Sequence, residues 1–346
     1  MSDLMLRSLY PEDINQVSKI ESSLTGSPRR AFLEKRLAVA TANLGEVFLD
    51  EIGDMQSDLQ AMPDSFITCA ALDDKKLAGY GFARILEGEF GARSAIVELD
   101  DIGVAPDYQG KGIGKMVMAG IEQRMKRKNI STLQTQVDWS NLSMIRFFAS
   151  TGFSLGSGQI IERDTSPLRE DVAEVAQVAK DGTRQVHGGA GDTYYDKPAR
   201  NRITVRPLKR EDLAAVDRID AKRTGLDRSA YCAAKFREVL DESGIRVSLV
   251  AEDNGIVTGF IMARVDFGEF GRIEKTAVID TIGVHPDYGG SGIGHALLSQ
   301  LLINLASLQV EAVRTKVERE DFGLWSFLSR RGFKPSQRLL LTKKIH

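Results

Sequence analysis

The sequence predicts a mixed α/β architecture built twice, two tandem domains that each layer helices on a twisted sheet. Three observations predict it. Residues 102–114 read IGVAPDYQGKGIG and residues 282–294 read IGVHPDYGGSGIG, identical at ten of thirteen positions at an offset of 180. The same ungapped offset pairs Gly79 with Gly259, Ala83-Arg84 with Ala263-Arg264, Asp100 with Asp280, Thr135 with Thr315, and Gly152-Phe153 with Gly332-Phe333. Both halves also show the same succession of strand-type and helix-type apolar periods.

Near the start of each copy the offset grows to 199, pairing Arg7 with Arg206 and Glu12-Asp13 with Glu211-Asp212. The first copy therefore carries about 19 extra residues, placed around 39–62. The copies are expected at 1–165 and 201–346. The segment 166–200, rich in glycine, aspartate and charge, reads as linker with a short helical pattern at its start.

Each copy opens with a strand, Met5–Ser8 or Ile203–Arg206. A helix follows, started by Pro11-Glu12-Asp13 in the first copy, with Ile14, Val17 and Ile20 on one face, and Leu213, Val216 and Ile219 matching them in the second. A second helix is expected over Arg29–Leu37 and Tyr231–Leu240. Strands Phe66–Leu72 and Gly79–Leu86, like Ser248–Glu252 and Gly259–Asp266, flank tight turns. A Gly-Glu-Phe-Gly turn comes next, and strands Ala95–Val104 and Ala277–Val284 run into a glycine loop from which a helix starts. Strands Leu133–Val137 and Ala312–Val317, helices Ser143–Ser150 and Gly323–Arg330, and a final strand close each copy.

The bulk numbers exclude several classes. Net charge is −2, with 42% apolar and 27% charged residues, so no global excess points to nucleic acid or an anionic membrane. Two distant cysteines, Cys69 and Cys232, give no disulfide framework. The four histidines show no metal-ligand spacing, and no metal is expected. No stretch approaches a membrane span, and the N-terminus lacks the apolar core of a signal peptide. A cytoplasmic protein without a membrane partner is the expectation.

The chemistry concentrates in Gln109-Gly110-Lys111-Gly112-Ile113-Gly114, between strand and helix. Alternating glycines keep side chains off the backbone N–H groups. Those donors and the positive end of a helix suit a phosphate or diphosphate, and Lys111 and Lys115 add positive charge. A Walker loop does not fit, because Gln109 stands where its first glycine belongs and Met116 follows Lys115. A Rossmann fingerprint does not fit either, since this is GxGxG placed after several strands.

QGKGIG resembles the Q/R-x-x-G-x-G/A pattern of the GNAT superfamily of N-acetyltransferases, and IGVAPDY resembles the strand end that precedes it there. Asn141 with Gly152-Phe153 resembles a later helix of that family. The resemblance covers about 5–164 and 203–346 and implies two tandem acyl-CoA N-acyltransferase folds. It implies acetyl-CoA as cosubstrate, its pantetheine arm along Ile102, Gly103 and Val104 and its diphosphate on the N–H groups of Gln109 through Lys115. Asn141 joins the cofactor side, and Ile282, Val284, Gly290, Gly292 and Gly294 repeat the site in the second copy. A small-molecule or protein amine would attack the thioester directly in a ternary complex. The alternative is an acyl-CoA-binding or sensing module with one or both copies non-catalytic.

Glu98 is the candidate general base, set against a plain strand-face ion pair; Asp100 and Asp101 are further candidates, though Asp100 recurs as Asp280, which suits a structural role. The tyrosine that serves relatives as general acid is replaced by Phe148 and Leu328, leaving water, the amine, or a residue such as Tyr108. Copy two departs further, with Val278, Gly289 and Asp321 in place of Glu98, Gln109 and Asn141. His285 and His295 flank its loop and are expected to be solvated. Arg29, Arg30 and Arg228 are candidates for meeting an acidic acceptor. The chain is expected to be a monomer with pseudo-dimeric domains or a homodimer.

Overall fold

The computed structural model describes residues 4–26, 30–41, 66–86, 88, 94–166, 203–242, 245–267 and 275–345. The expected linker from 167 onward, the insertion beyond Thr41, Arg29 and the Gly-Glu-Phe-Gly turns beyond Gly88 lie outside the described residues.

The first copy comprises β1 (Leu4–Arg7), α1 (Ile14–Thr25), α2 (Arg30–Thr41), β2 (Phe66–Asp73), β3 (Lys76–Leu86), β4 (Ile96–Val104), α3 (Ile113–Arg127), β5 (Thr132–Asp138), α4 (Leu142–Ser150), β6 (Ser154–Leu155) and β7 (Gly158–Asp164). The second comprises β8 (Thr204–Pro207), α5 (Leu213–Thr224), α6 (Ser229–Arg237), β9 (Leu249–Asp253), β10 (Ile256–Phe267), β11 (Lys275–Val284), α7 (Ile293–Ser307), β12 (Ala312–Glu318), α8 (Phe322–Arg330), β13 (Lys334–Pro335) and β14 (Arg338–Lys344). The expected element order holds apart from the two-residue strands β6 and β13, which were not expected, and boundaries shift by a few residues.

The matched pairs at the start of each copy have a physical reason. Asp13 accepts from both Arg7 Nη atoms at 2.6 and 2.7 Å and from the Tyr10 N–H at 2.8 Å. Asp212 repeats this with Arg206 at 2.8 Å twice and the Lys209 N–H at 2.8 Å. A charge-assisted pair thus ties each first strand to the start of its helix. Burial pushes the Asp212 carboxyl up, but Arg206 and the Lys209 N–H together outweigh it and hold the pKa below its ordinary value.

Each copy sandwiches its sheet between two helical layers. In the first, Val17 and Ile20 of α1 and Leu37 of α2 pack with Leu72 and Tyr80 on one face. Val117 and Ile121 of α3 pack with Ile67, Leu99 and Leu133 on the other. The second copy repeats both layers.

The expectation that a final strand closes its own copy is corrected by the pairing. Both sheets have seven strands, ordered β1-β2-β3-β4-β5-β14-β6 and β8-β9-β10-β11-β12-β7-β13. Strand β7 leaves its copy to lie antiparallel to β12, with Ile161 opposite Thr315. Strand β14 crosses the other way to β5, with Leu341 opposite Thr135. The two copies interlock by exchanging their last strands.

Candidate active site

Strand β4 carries a bulge. Phe82 faces Asp101 while Ala83 faces Leu99, so Asp100 is the extra residue, and Asp280 is its counterpart opposite the Met262-Ala263 step of β10. A bulge re-aims the residues beyond it. The parallel pairing of β4 with β5 covers only Val97–Leu99 against Leu133–Thr135. At that last pair the Thr135 hydroxyl donates to the Leu99 carbonyl at 2.9 Å, and Thr315 does the same to Ile279. Beyond it, Ile102, Gly103 and Val104 pair only with β3 on one side. The other side opens into a fork between two central strands, and β11 and β12 form the same fork. Thr135 and Thr315 were visible in the repeat, but their role needed the structure.

The glycine loop lies where β4 ends. Gly110 and Gly112 have φ of +73° and +84°, a region L side chains seldom enter, and a Cβ on either would meet nothing within 4 Å. Open space over a left-handed backbone at a helix start is what a bound anion requires. Ile113 is the first residue of α3, and the Met116 N–H returns to the Gly112 carbonyl at 3.1 Å. Two expectations are refined. The Gln109 N–H donates to the Pro106 carbonyl at 3.2 Å, so the turn uses it, while the Gln109 side chain donates to the Val104 carbonyl at 3.3 Å. Gly114 is required by packing, because its Cβ would come 2.9 Å from the Phe147 ring. Lys111 and Lys115 are exposed beside the loop, and Lys111 Nζ lies 5.3 Å from the Tyr108 ring centroid.

Copy two keeps the loop backbone, with Gly290 and Gly292 at +75° and +83° and Gly294 near Phe327. It lacks the cations: Ser291 replaces Lys111, and buried His295 stands at the position of exposed Lys115. His285 is buried as well, its Nδ1 accepting from the Asp287 N–H at 3.3 Å. Both histidines were expected in solvent; the packing around the loop encloses them. Asn141 is the N-cap of α4, accepting from the Met144 N–H at 3.2 Å, and Asp321 caps α8 through the Leu324 N–H at 2.9 Å. Either residue type performs this task.

Glu98 is buried on the sheet face that also carries Asp100. Gln136 Nε2 donates to Glu98 Oε1 at 2.9 Å, and Arg84 Nη2 lies 3.5 Å from Glu98 Oε2. Arg84 makes its short bonds to Asp100, at 2.7 and 2.9 Å, and Arg36 of α2 also donates to Asp100. Asp280 is held the same way, by Arg264 at 3.2 Å and Lys235 of α6 at 3.4 Å. The bulge aspartates therefore fasten the second helix of each copy to the sheet. Sequence reasoning singled out Gln136 and its counterpart Lys316 as standing where some relatives of the resembled family carry a glutamate, but it missed Arg36 and the role of Arg84; the signal for Arg84 was the recurring Ala-Arg pair on the neighbouring strand.

A cavity of about 50 Å³ lies where the two sheets face each other, lined from the first copy by Glu98, Gln134 and Gln136 and from the second by Arg264, Arg314 and Lys316. Gln134 accepts from Lys316 Nζ across it at 3.4 Å. Phe148 and Leu328 are core residues, Phe148 packed edge-on against Phe147 and Phe153. Tyr108 donates to Asp73 at 2.8 Å, a bond that raises its pKa. Arg228 pairs with buried Asp220 at 2.9 Å and donates to the Gly88 carbonyl of the other copy, so it fastens the copies together rather than awaiting an acceptor. Arg30 pairs with Glu34 on the surface of α2 at 2.7 Å. Among the described residues no group of three or more His, Cys, Asp and Glu could hold a metal, and no helix is long and apolar enough to cross a membrane.

The model of the Acetyltransferase (GNAT) family matches residues 35–153 and 214–333, well over half of the chain. A mycothiol acetyltransferase of Renibacterium salmoninarum is 32% identical over 80 residues, 23% of each chain. The chain spans 23% to 59% of the curated relatives named for acyl transfer that it matches. Among solved structures, a tandem GNAT protein from the clavulanic acid pathway is similar over 99% of both chains, with a TM-score of 0.55 and 14% identity. A GCN5-related N-acetyltransferase from Sphaerobacter thermophilus is similar over 99% of this chain and 96% of its own, with a TM-score of 0.55 and 15% identity.

Proposed function

We propose, from the premise that the chain belongs to the acetyltransferase (GNAT) family, that its first copy transfers an acetyl group from acetyl-CoA to an amine. One observation carries the reading. The β4–β5 fork, the side-chain-free loop with Lys111 and Lys115, and the Glu98 carboxylate beside the fork occur together only in the first copy.

The residues present fit coenzyme A. The positive-φ glycines leave room over the loop, and the N–H groups at the start of α3 with Lys111 and Lys115 suit the diphosphate. The edge of Ile102–Val104 that no strand pairs among the described residues, where only the Gln109 side chain reaches the Val104 carbonyl, offers main-chain groups to an extended pantetheine arm. Bound there, the thioester supplies the activated acetyl group. An acceptor arrives as an ammonium, and Glu98, directly or through a water, takes its proton. The amine would then add to the thioester carbon to give an oxyanion, whose collapse would break the C–S bond and release the sulfur as thiolate, to be protonated to the thiol. An N–H near Ile102 stabilises the oxyanion. With Phe148 packed in the core and Tyr108 bonded to Asp73, the thiolate draws its proton from solvent or from the nitrogen.

For the second copy, the loss of Glu98 and of both loop cations favours a non-catalytic role, binding acyl-CoA at most and supporting its partner. The test is CoA-thiol release from acetyl-CoA over a panel of amines. Glu98→Gln is expected to lower kcat by about 100-fold or more with acetyl-CoA binding unchanged. An unchanged kcat removes Glu98 from the reaction, and release with no amine removes the transferase reading.

A further inference from the structure

Three pairs of repeat-equivalent positions line the cavity between the sheets, and they are electrically lopsided. Two buried ion clusters stand at equivalent places: Asp100 with Arg84 and Arg36, and Asp280 with Arg264 and Lys235, the second also holding Glu238. Three further positions differ between the copies. Glu98 corresponds to Val278, Gln134 to Arg314 and Gln136 to Lys316. All six residues line the cavity. At those positions the first copy contributes one carboxylate and two amides, and the second contributes an apolar group and two cations. Arg314 and Lys316 alternate along β12 with Val313 and Val317, which belong to the core. The strand therefore turns its two cations to the sheet face that meets the first copy.

We propose that Lys316, aided by Arg314, binds a carboxylate of the acceptor, so that the second copy sets the substrate class of the first. The proposal rests on the acetyltransferase reading of the Glu98 site. An amine that also carries a carboxylate matches both poles, its ammonium at Glu98 and its anion at the cations of β12. Lys316 is the more adaptable cation. Its contacts to Gln134 and Glu318 are both 3.4 Å, long enough to be exchanged for a carboxylate. Arg314 is buried, opposite Glu162 in the register of the β7–β12 ladder. A space of about 50 Å³ admits a few water-sized groups, suiting a short headgroup rather than a polymer segment. The glycine loop of the second copy thus carries neither lysine of the first, while its share of the cavity carries two cations that the first copy lacks.

The experiment uses the full chain and reads CoA-thiol release with acetyl-CoA. The probes are glycine, β-alanine, 4-aminobutanoate and 5-aminopentanoate, each beside its carboxamide, with simple alkylamines as a further set. The expected result is a KM at least tenfold lower for an acid than for its amide at one chain length. Lys316→Met should raise that KM about tenfold or more with kcat little changed, leave the amide unaffected, and be rescued by Lys316→Arg. Lys316 is partly exposed, so these variants are expected to fold; Arg314→Met is read only if its melting temperature matches wild type. Equal use of acids and amides, or an acid-to-amide ratio unmoved by Lys316→Met, overturns the proposal. Turnover of alkylamines but of no acid overturns it and leaves the transferase reading standing. Turnover of no amine at all overturns both.

Discussion

The two copies share a backbone and differ in where they keep their charge. Both have the bulge, the fork closed by a threonine, the left-handed glycines and the capped last helix. The first copy places Lys111 and Lys115 at the loop and Glu98 beside the fork; the second has Ser291, buried His295 and Val278 there. Backbone conservation within one chain thus marks what the fold needs, and the divergent side chains mark what the chemistry needs. The strand exchange makes each copy structurally dependent on the other, because the last strand of one lies in the sheet of its partner.

That dependence predicts the largest effect. Deleting residues 338–346 removes β14, with buried Leu340 and Leu341, from the edge of β5. Apolar burial of the two leucines alone contributes about 3–6 kcal/mol. The first copy should unfold at least about 10 °C lower by calorimetry and lose acetyl-CoA binding. A deletion that leaves both intact would break the claim that the copies interlock.

The cap comparison is gentler. Asn141→Ala should cost about 1 kcal/mol, a shift of a few degrees, because the Met144 N–H loses its acceptor. Asn141→Asp should be nearly neutral, since Asp321 already does that work in the second copy. If Asn141→Asp instead weakens acetyl-CoA binding with stability intact, the first-copy residue touches the cofactor as well.

The smallest effect concerns Cys69 and Cys232. Both thiols are buried, and burial raises both, Cys232 to about 12. A disulfide reagent added to native protein should label neither, and the denatured chain should yield both. Rapid labelling of only one would show that its copy opens locally.

Much of this was legible in the sequence, and the reasons differ by feature. The repeat gave the element order because period and glycine placement are local properties. The clamps of Arg7 on Asp13 and Arg206 on Asp212 appeared as matched letters before their meaning was clear. The exchange of β7 and β14 was not legible, because the two strands occupy equivalent positions and either sheet accepts either one. The environment of Glu98 was hidden for a related reason: Arg84 and Gln136 lie on neighbouring strands, and the cations facing them come from 180 residues further along. His285 and His295 were misplaced because nearness to the loop says little about burial: His285 directly follows β11, and His295 lies in the first turn of α7, packed inward.

Acetyl-CoA titrated calorimetrically into the full chain, Gly112→Glu and Gly292→Glu reaches the centre of the account. A carboxylate at Gly112 points into the space proposed for the diphosphate and strains a left-handed residue. Affinity at the productive site should fall at least tenfold in Gly112→Glu and persist in Gly292→Glu. A wild-type chain that binds no acetyl-CoA, or a Gly112→Glu chain that binds it undiminished, would contradict the assignment of that loop.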